Sequence, residues 1–249
     1  MRRAVTQTTR IYAPELLAPG ALLPLRETAA HHLSRVLRAA VGDQVIVFND
    51  GVEFSAVINR IDRHGVTVKL ATGAPVDRES PLPCVLAQAI SSGERMDITL
   101  QKAVELGIRA VQPLYSERSI VRLDAERAMK RVEHWREVMI AACEQCGRNR
   151  VPEVAPPLTV IDWLGGLPPP RGDELRILLS PQADQRIADL ARPAAVTLLA
   201  GPEGGFTPVE TDIAGQRGFV AIKLGPRVLR TETAALAALA ALNTLWGDF

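Results

Sequence analysis

From Cys84 onward the sequence alternates short apolar runs with helix-forming stretches, and this alternation limits the possible folds more than any other feature. Cys84–Ile90, Ile108–Leu114, Leu175–Leu179, Val196–Ala200 and Phe219–Leu224 read as strands. Between them, Asp97–Leu106 and Asp124–Gln145 read as helices, stopped by Gly107 and Gly147. Thr207-Pro208-Val209-Glu210 opens another helix with a capping box and proline at its first position. The last helix spans Thr231 to Trp246, with Thr231 expected as its N-cap. The proline-rich stretch 152–171 is expected to be irregular. Repeated β-α units of this kind predict an α/β fold, a mostly parallel sheet with helices on both faces.

The first seventy residues obey a different pattern. His31–Arg38 places Leu33, Val36 and Leu37 on one helical face and His31, Arg35 and Arg38 on the opposite one. Gln44–Phe48 and Val52–Ile58 flank Asn49-Asp50-Gly51, a hairpin signal, and Val66–Leu70 reads as a further strand. A helix with hairpins in so short a length predicts a small β-barrel or roll. The polar, proline-marked run Asp77–Pro83 breaks the two patterns apart, so domains are expected at 1–73 and 74–249.

At 249 residues the chain can hold one large domain or two ordinary ones with ample core. Its longest uncharged run near the end, Ala234–Gly247, is too short to span a bilayer, so no membrane partner is expected. MRRAVTQTTR at the start lacks the apolar segment of a signal peptide, and the three cysteines form no disulfide framework. The expected location is cytoplasmic. A net charge of +1 conceals an asymmetry: residues 1–72 carry nine Lys/Arg against six Asp/Glu, the rest twenty against twenty-two. The basic amino-terminal part suits a polyanion, with Arg35 and Arg38 as candidate RNA contacts, although the same charges fit an ordinary solvated face.

Cys143-x-x-Cys146 has the spacing of half a zinc site, but no second pair exists and His134 precedes it on the same expected helix. Cys143 continues the apolar series Val132, Trp135, Met139, so core packing and no metal are expected. Just beyond Gly147, Arg148-Asn149-Arg150 forms a basic, amide-bearing loop. It suits RNA phosphate or a flipped base, or else a solvated helix end whose charge favours the helix dipole.

Three strand ends are unusual: Ser180-Pro181-Gln182, Gly201-Pro-Glu-Gly-Gly205 and Leu224-Gly-Pro-Arg-Val-Leu-Arg230. Each leaves its strand through Gly or Pro, so the backbone bends stiffly and a ligand can approach closely. Neither glycine loop fits the dinucleotide or P-loop phosphate patterns. In open parallel sheets ligands bind beyond the carboxyl ends of the strands, so three such loops in succession predict a pocket.

GPEGGF, LGPRVLRTETAAL, QKAVELGIRAVQPL and ACEQCGRNRVP together resemble the bacterial 16S rRNA (uracil-N3)-methyltransferase family of the SPOUT superfamily. The resemblance spans nearly the whole chain. It implies a carboxyl-terminal α/β-knot domain, trefoil-knotted, behind a small PUA-like β-barrel that binds RNA. It also implies S-adenosyl-L-methionine as cofactor, held by the three loops. Leu179 and Pro181 would line the first loop, and Gly201, Glu203, Gly204 and Gly205 the second. Leu224, Gly225, Leu229, Arg230 and Thr231 would line the third. The implied substrate is a single uridine of 16S rRNA near the decoding region, in the assembled 30S subunit.

The chemistry agrees with that assignment. Uracil N3 is mostly protonated at neutral pH, so its proton must leave and the resulting anion needs a cation. Arg230, a permanent cation, is assigned to stabilising charge on the uracil oxygens or to positioning phosphate. Glu203 is the candidate base, or alternatively a carboxylate that ties down loop amides. The last helix is apolar nearly all round, with Leu236, Leu239, Leu242 and Leu245 in one stripe, so it must be covered on nearly all sides. Burial wholly within one chain would do this, but the resemblance implies a homodimer, since SPOUT relatives pair through their knotted domains. The competing readings are a SPOUT methyltransferase of tRNA or 23S rRNA, and a catalytically dead RNA-binding assembly factor.

Overall fold

The structure is a computed structural model that describes residues 8–119 and 124–249. Its chain divides into two compact units, Met1–Glu79 with Cys143–Val151, and Ser80–Ala142 with Pro152–Phe249.

The first unit holds a five-stranded sheet of β1 (Arg10–Tyr12), β2 (Leu22–Pro24), β3 (Gln44–Asn49), β4 (Val52–Asp62) and β5 (Gly65–Pro75), ordered β1-β3-β4-β5-β2. β3 and β4 pair antiparallel through the expected tight turn, where Asp50 and Gly51 both take left-handed φ values of 43° and 84°. Val47, Ile58, Val68 and Leu70 point inward and form the centre of its core.

The helix expected over 31–38 differs from the reading. α1 spans Glu27–His31 and widens into a π turn over His32–Val36, closed by a bond from the Leu37 N–H to the His32 carbonyl. A π turn advances less per residue than an α-helix, so the 3.6-residue pattern no longer aligns the three apolar positions. Leu33 is buried, but Val36 and Leu37 stand 60% and 46% exposed.

The second unit is built on a seven-stranded sheet. Its strands are β6 (Cys84–Ala89), β7 (Ala110–Tyr115), β8 (Glu153–Val154), β9 (Leu158–Thr159), β10 (Glu174–Leu179), β11 (Ala195–Ala200) and β12 (Phe219–Ile222). The order is β12-β10-β11-β6-β7-β8, with β9 also on β7, and every pairing is parallel. The helices are α2 (Arg95–Glu105), α3 (Ala125–Cys146), α4 (Val160–Gly166), α5 (Pro208–Gln216) and α6 (Thr231–Trp246). Trp163 and Leu164 of α4 and Ala214 of α5 pack with Ala87, Leu178 and Leu199 of the sheet. Strand neighbours Leu86, Ile177 and Leu198 point to the other face and are fully buried. α6 packs against α2 and β11. Among the described residues, no helix is long and apolar enough to cross a membrane.

Two expectations are corrected here. The stretch 152–171 is not irregular throughout, because it supplies β8, β9 and α4, the last capped by the Thr159 hydroxyl, which accepts from the Asp162 N–H at 3.0 Å. Thr231 is not the N-cap of α6: Arg230 holds that position with no side-chain cap bond, and Thr231 is the first helical residue. Its hydroxyl points inward, to a carbonyl on another loop.

The capping box of α5 forms as read, and the structure extends its role. Glu210 is buried and its carboxylate accepts from the Thr207 N–H and hydroxyl, the Ser116 hydroxyl and the Glu117 N–H. One side chain thus joins the start of α5 to the segment leaving β7. Glu210→Ala leaves those buried donors unpaired and should lower the unfolding free energy by about 3 kcal/mol. Urea unfolding of the variant against the parent measures this.

Candidate functional site

β12, β10 and β11 lie side by side and run in the same direction, so their carboxyl ends meet along one edge of the sheet. The loops leaving those ends enclose a cavity of about 670 Å³. Every residue assigned to the three loops from the sequence lines it: Leu179 and Pro181; Gly201 and Glu203 to Gly205; Leu224, Gly225, Leu229, Arg230 and Thr231.

Glycine is needed here for two separate reasons. Gly205 and Gly225 sit at φ of 67° and 84°, where other residues are strained. At Gly201 the φ is ordinary, but an added Cβ would come within 3.1 Å of the Phe206 ring. The tight turn is closed by the Gly205 N–H bonding to the Pro202 carbonyl at 2.9 Å.

The second loop is held from three sides. Arg118, in the segment after β7, donates to the Gly204 and Phe206 carbonyls at 3.1 and 3.3 Å. Arg95, at the start of α2, pairs with the Glu203 carboxylate at 2.5 Å. The Thr231 hydroxyl donates to the Gly201 carbonyl at 2.5 Å. Glu203 is therefore engaged with the Arg95 guanidinium rather than standing alone. Arg230 and Arg227 are exposed on the third loop, and their side chains form no hydrogen bond or ion pair among the described residues.

Arg95, Arg118 and Arg227 join Arg230 in the cavity wall, against Glu203 as the one carboxylate there. The wall is cationic and favours an anion beside its apolar surface of Leu179, Leu224 and Leu229. Sequence reading missed Arg95 and Arg118. Both follow strand ends, β6 and β7, so the rule that found the other loops would have reached them had it been extended along the sheet.

In the first unit, Arg35 and Arg38 are exposed, and their side chains form no polar contact among the described residues. Arg150 is exposed but paired with Asp50. Arg148 and Asn149 are buried, with 4% and 1% exposure. The Arg148 guanidinium engages Glu79, and Asn149 donates to the Val76 carbonyl at 2.9 Å while accepting from Arg10. Their polar groups are spent inside the unit rather than offered to solvent. Arg10 also meets Glu53, as does Arg78 at 2.5 Å. Burial would raise the Glu53 carboxyl, but the Arg78 and Arg10 hydrogen bonds outweigh it and hold the group below the usual carboxylate range.

Among the described residues, no cluster of His, Cys, Asp and Glu could hold a metal ion. His134 bonds Asp97 at 2.8 Å, and the Cys143 thiol faces the Arg150 carbonyl at 3.6 Å. Burial pushes both Cys84 and Cys143 up to about 12, so neither is a ready thiolate ligand.

The family described as RNA methyltransferase domain matches residues 78–243, and that described as RNA methyltransferase PUA domain matches residues 25–71. The ribosomal RNA small subunit methyltransferase E of Buchnera aphidicola subsp. Schizaphis graminum is 36% identical over 241 residues, 96% of this chain and 97% of its own. A protein of Legionella pneumophila, solved in complex with the bound cofactor S-adenosylmethionine, is 42% identical with a TM-score of 0.93, covering 98% of this chain and 100% of that one. The ribosomal RNA small subunit methyltransferase E of Neisseria gonorrhoeae, solved bound to S-adenosylmethionine, is 41% identical with a TM-score of 0.89 over the same shares. The chain belongs to the RNA methyltransferase family, and within it to the ribosomal RNA small subunit methyltransferase E group.

Proposed function

We propose, on the premise of that membership, that the protein methylates N3 of one uridine in 16S rRNA near the decoding region, using S-adenosyl-L-methionine. The observation that carries this is the convergence of three glycine- and proline-bent loops on a single cavity at the carboxyl edge of adjacent parallel strands. Its volume lies within the range of about 300–1,000 Å³ typical of small-molecule sites.

The residues present fit the cofactor. Leu179, Leu224 and Leu229 offer the apolar slot that an adenine needs, and the glycines let the backbone come close beside it. The bound cofactor supplies an electrophilic methyl group on a sulfonium. The chain's part is to hold the uracil, accept its N3 proton and steady the charge that remains. Arg230, one of two arginines of the third loop at the cavity wall whose side chains are unpaired among the described residues, is assigned the last task. Glu203, paired with Arg95, is assigned to fixing the second loop, with proton acceptance as its alternative.

The wider architecture follows the same reading. The path of β10, β11, β12 and α6 is read as a trefoil knot, and the first unit as a PUA-like barrel that grips rRNA of the 30S subunit. The domains are placed at 1–73 and 74–249, with the cytoplasm as the site of action. The RNA contacts are Arg35, Arg38 and Arg150, with Arg148 and Asn149 shaping that surface from within. α6 buries Ala235, Ala238, Leu239 and Leu242, while Leu236, Ala237, Ala240 and Ala241 stay half-exposed and Leu245 is 45% exposed. That second flank is assigned to a homodimer.

Calorimetry should show S-adenosylmethionine binding to the parent and none to Gly225→Val, whose branched side chain cannot take the required φ. Arg230→Ala should keep cofactor affinity and lose about a hundredfold or more in methyl transfer to 30S subunits. Mapping of methylated uridine in rRNA from a deletion strain, with and without complementation, identifies the base. A folded parent that binds no cofactor would leave the assembly-factor reading. Arg35→Glu with Arg38→Glu should weaken subunit binding, leave cofactor affinity intact and flatten the salt dependence by about one counterion per lost phosphate contact. An unchanged slope would reduce that face to a solvated one.

A further inference from the structure

We infer that Gln88 is a positioning residue for the cavity, acting through the Thr231 hydroxyl on the Gly201 carbonyl; this rests on the cofactor reading of the three loops. Gln88 lies on β6, in the run Cys84–Ala89, where every neighbour is apolar. It is fully buried and does not line the cavity. Its register partner on β11 is Ala200, the residue just before the second loop.

Both amide protons of Gln88 are used. One goes to the Ala89 carbonyl at 3.0 Å and the other to Thr231 Oγ1 at 3.0 Å. The single hydroxyl proton of Thr231 goes to the Gly201 carbonyl at 2.5 Å. Donation therefore runs one way, from amide to hydroxyl to carbonyl, and each bond polarises the next. This chain ties the first residue of α6, where the third loop ends, to the first residue of the second loop.

The cost of this arrangement points to its purpose. Gln88 Oε1 is buried and has no partner among the described residues. A leucine or methionine at this place would remove that unpaired acceptor, so the amide is explained by what its protons hold. Reversing the amide would set Oε1 against the Ala89 carbonyl, which fixes the direction of the chain. With its proton committed to Gly201, the Thr231 hydroxyl cannot donate to a ligand. Thr231 thus acts by setting the distance between two loops.

The test is a double-mutant cycle of Gln88→Met and Thr231→Val in the full-length protein, read by S-adenosylmethionine calorimetry and by thermal unfolding. Each single variant should weaken cofactor binding by about tenfold, the equivalent of one net hydrogen bond. The double variant should lose no more than the worse single one, since the two act as a unit. Thr231→Ser, which keeps the hydroxyl, should restore affinity. Gln88→Glu can donate from its side chain only while protonated, so its affinity should improve as pH falls, whereas the parent's should not follow that trend. Additive losses, unchanged affinity in folded Gln88→Met, or no rescue by Thr231→Ser would each overturn the inference. If Gln88→Met does not fold, the Thr231→Ser and Thr231→Val comparison decides alone, and equal affinities refute the chain. Failure of the parent to bind S-adenosylmethionine would instead refute the cofactor reading itself.

Discussion

Parallel pairing along β12, β10, β11 and β6 is the constraint on which the site depends. Strands that run in one direction deliver their carboxyl ends to one edge, so loops far apart in sequence must meet there. The site is then assembled by register. Ala200 stands opposite Gln88, and Leu179 opposite Ile222, which sets the starting points of the loops. Hydrophobic burial on both faces holds these strands inside the unit, with Leu198 and Leu199 covered on opposite faces.

What the sheet delivers, polar side chains then fix. Glu210 joins the start of α5 to the segment after β7, and Arg118 from that segment holds the second loop by its carbonyls. Arg95 and Thr231 hold the same loop from other directions. A loop restrained on three sides is preorganised for a ligand, which reduces the ordering that binding requires. The side chains of Arg227 and Arg230 on the third loop are exposed and unpaired among the described residues.

Much of this was legible in the sequence because it was local. Apolar runs marked the strands, Thr207 to Glu210 marked a helix start, and Gly or Pro at three strand ends marked the cavity. The misreadings were of a different physical kind. A 3.6-residue period groups Val36 and Leu37 on one face with Leu33, but the π turn over His32–Val36 does not keep that period, and only Leu33 is buried. Thr231 was given a local capping bond, but its hydroxyl takes a partner thirty positions away in sequence, at Gly201. Arg148 and Asn149 looked like an exposed basic loop, yet their partners Glu79, Val76 and Arg10 lie far back in the chain. Polar groups with distant partners cannot be placed from spacing alone.

If the three strand-end loops together form the cofactor site, hydrogen exchange will register the ligand in all three at once. With saturating S-adenosylmethionine, amide exchange should slow together in 178–182, 200–206 and 222–231, and remain unaltered in the sheet of the first unit. Measured cofactor binding with protection in only one of these loops, or with protection centred elsewhere, would contradict the account.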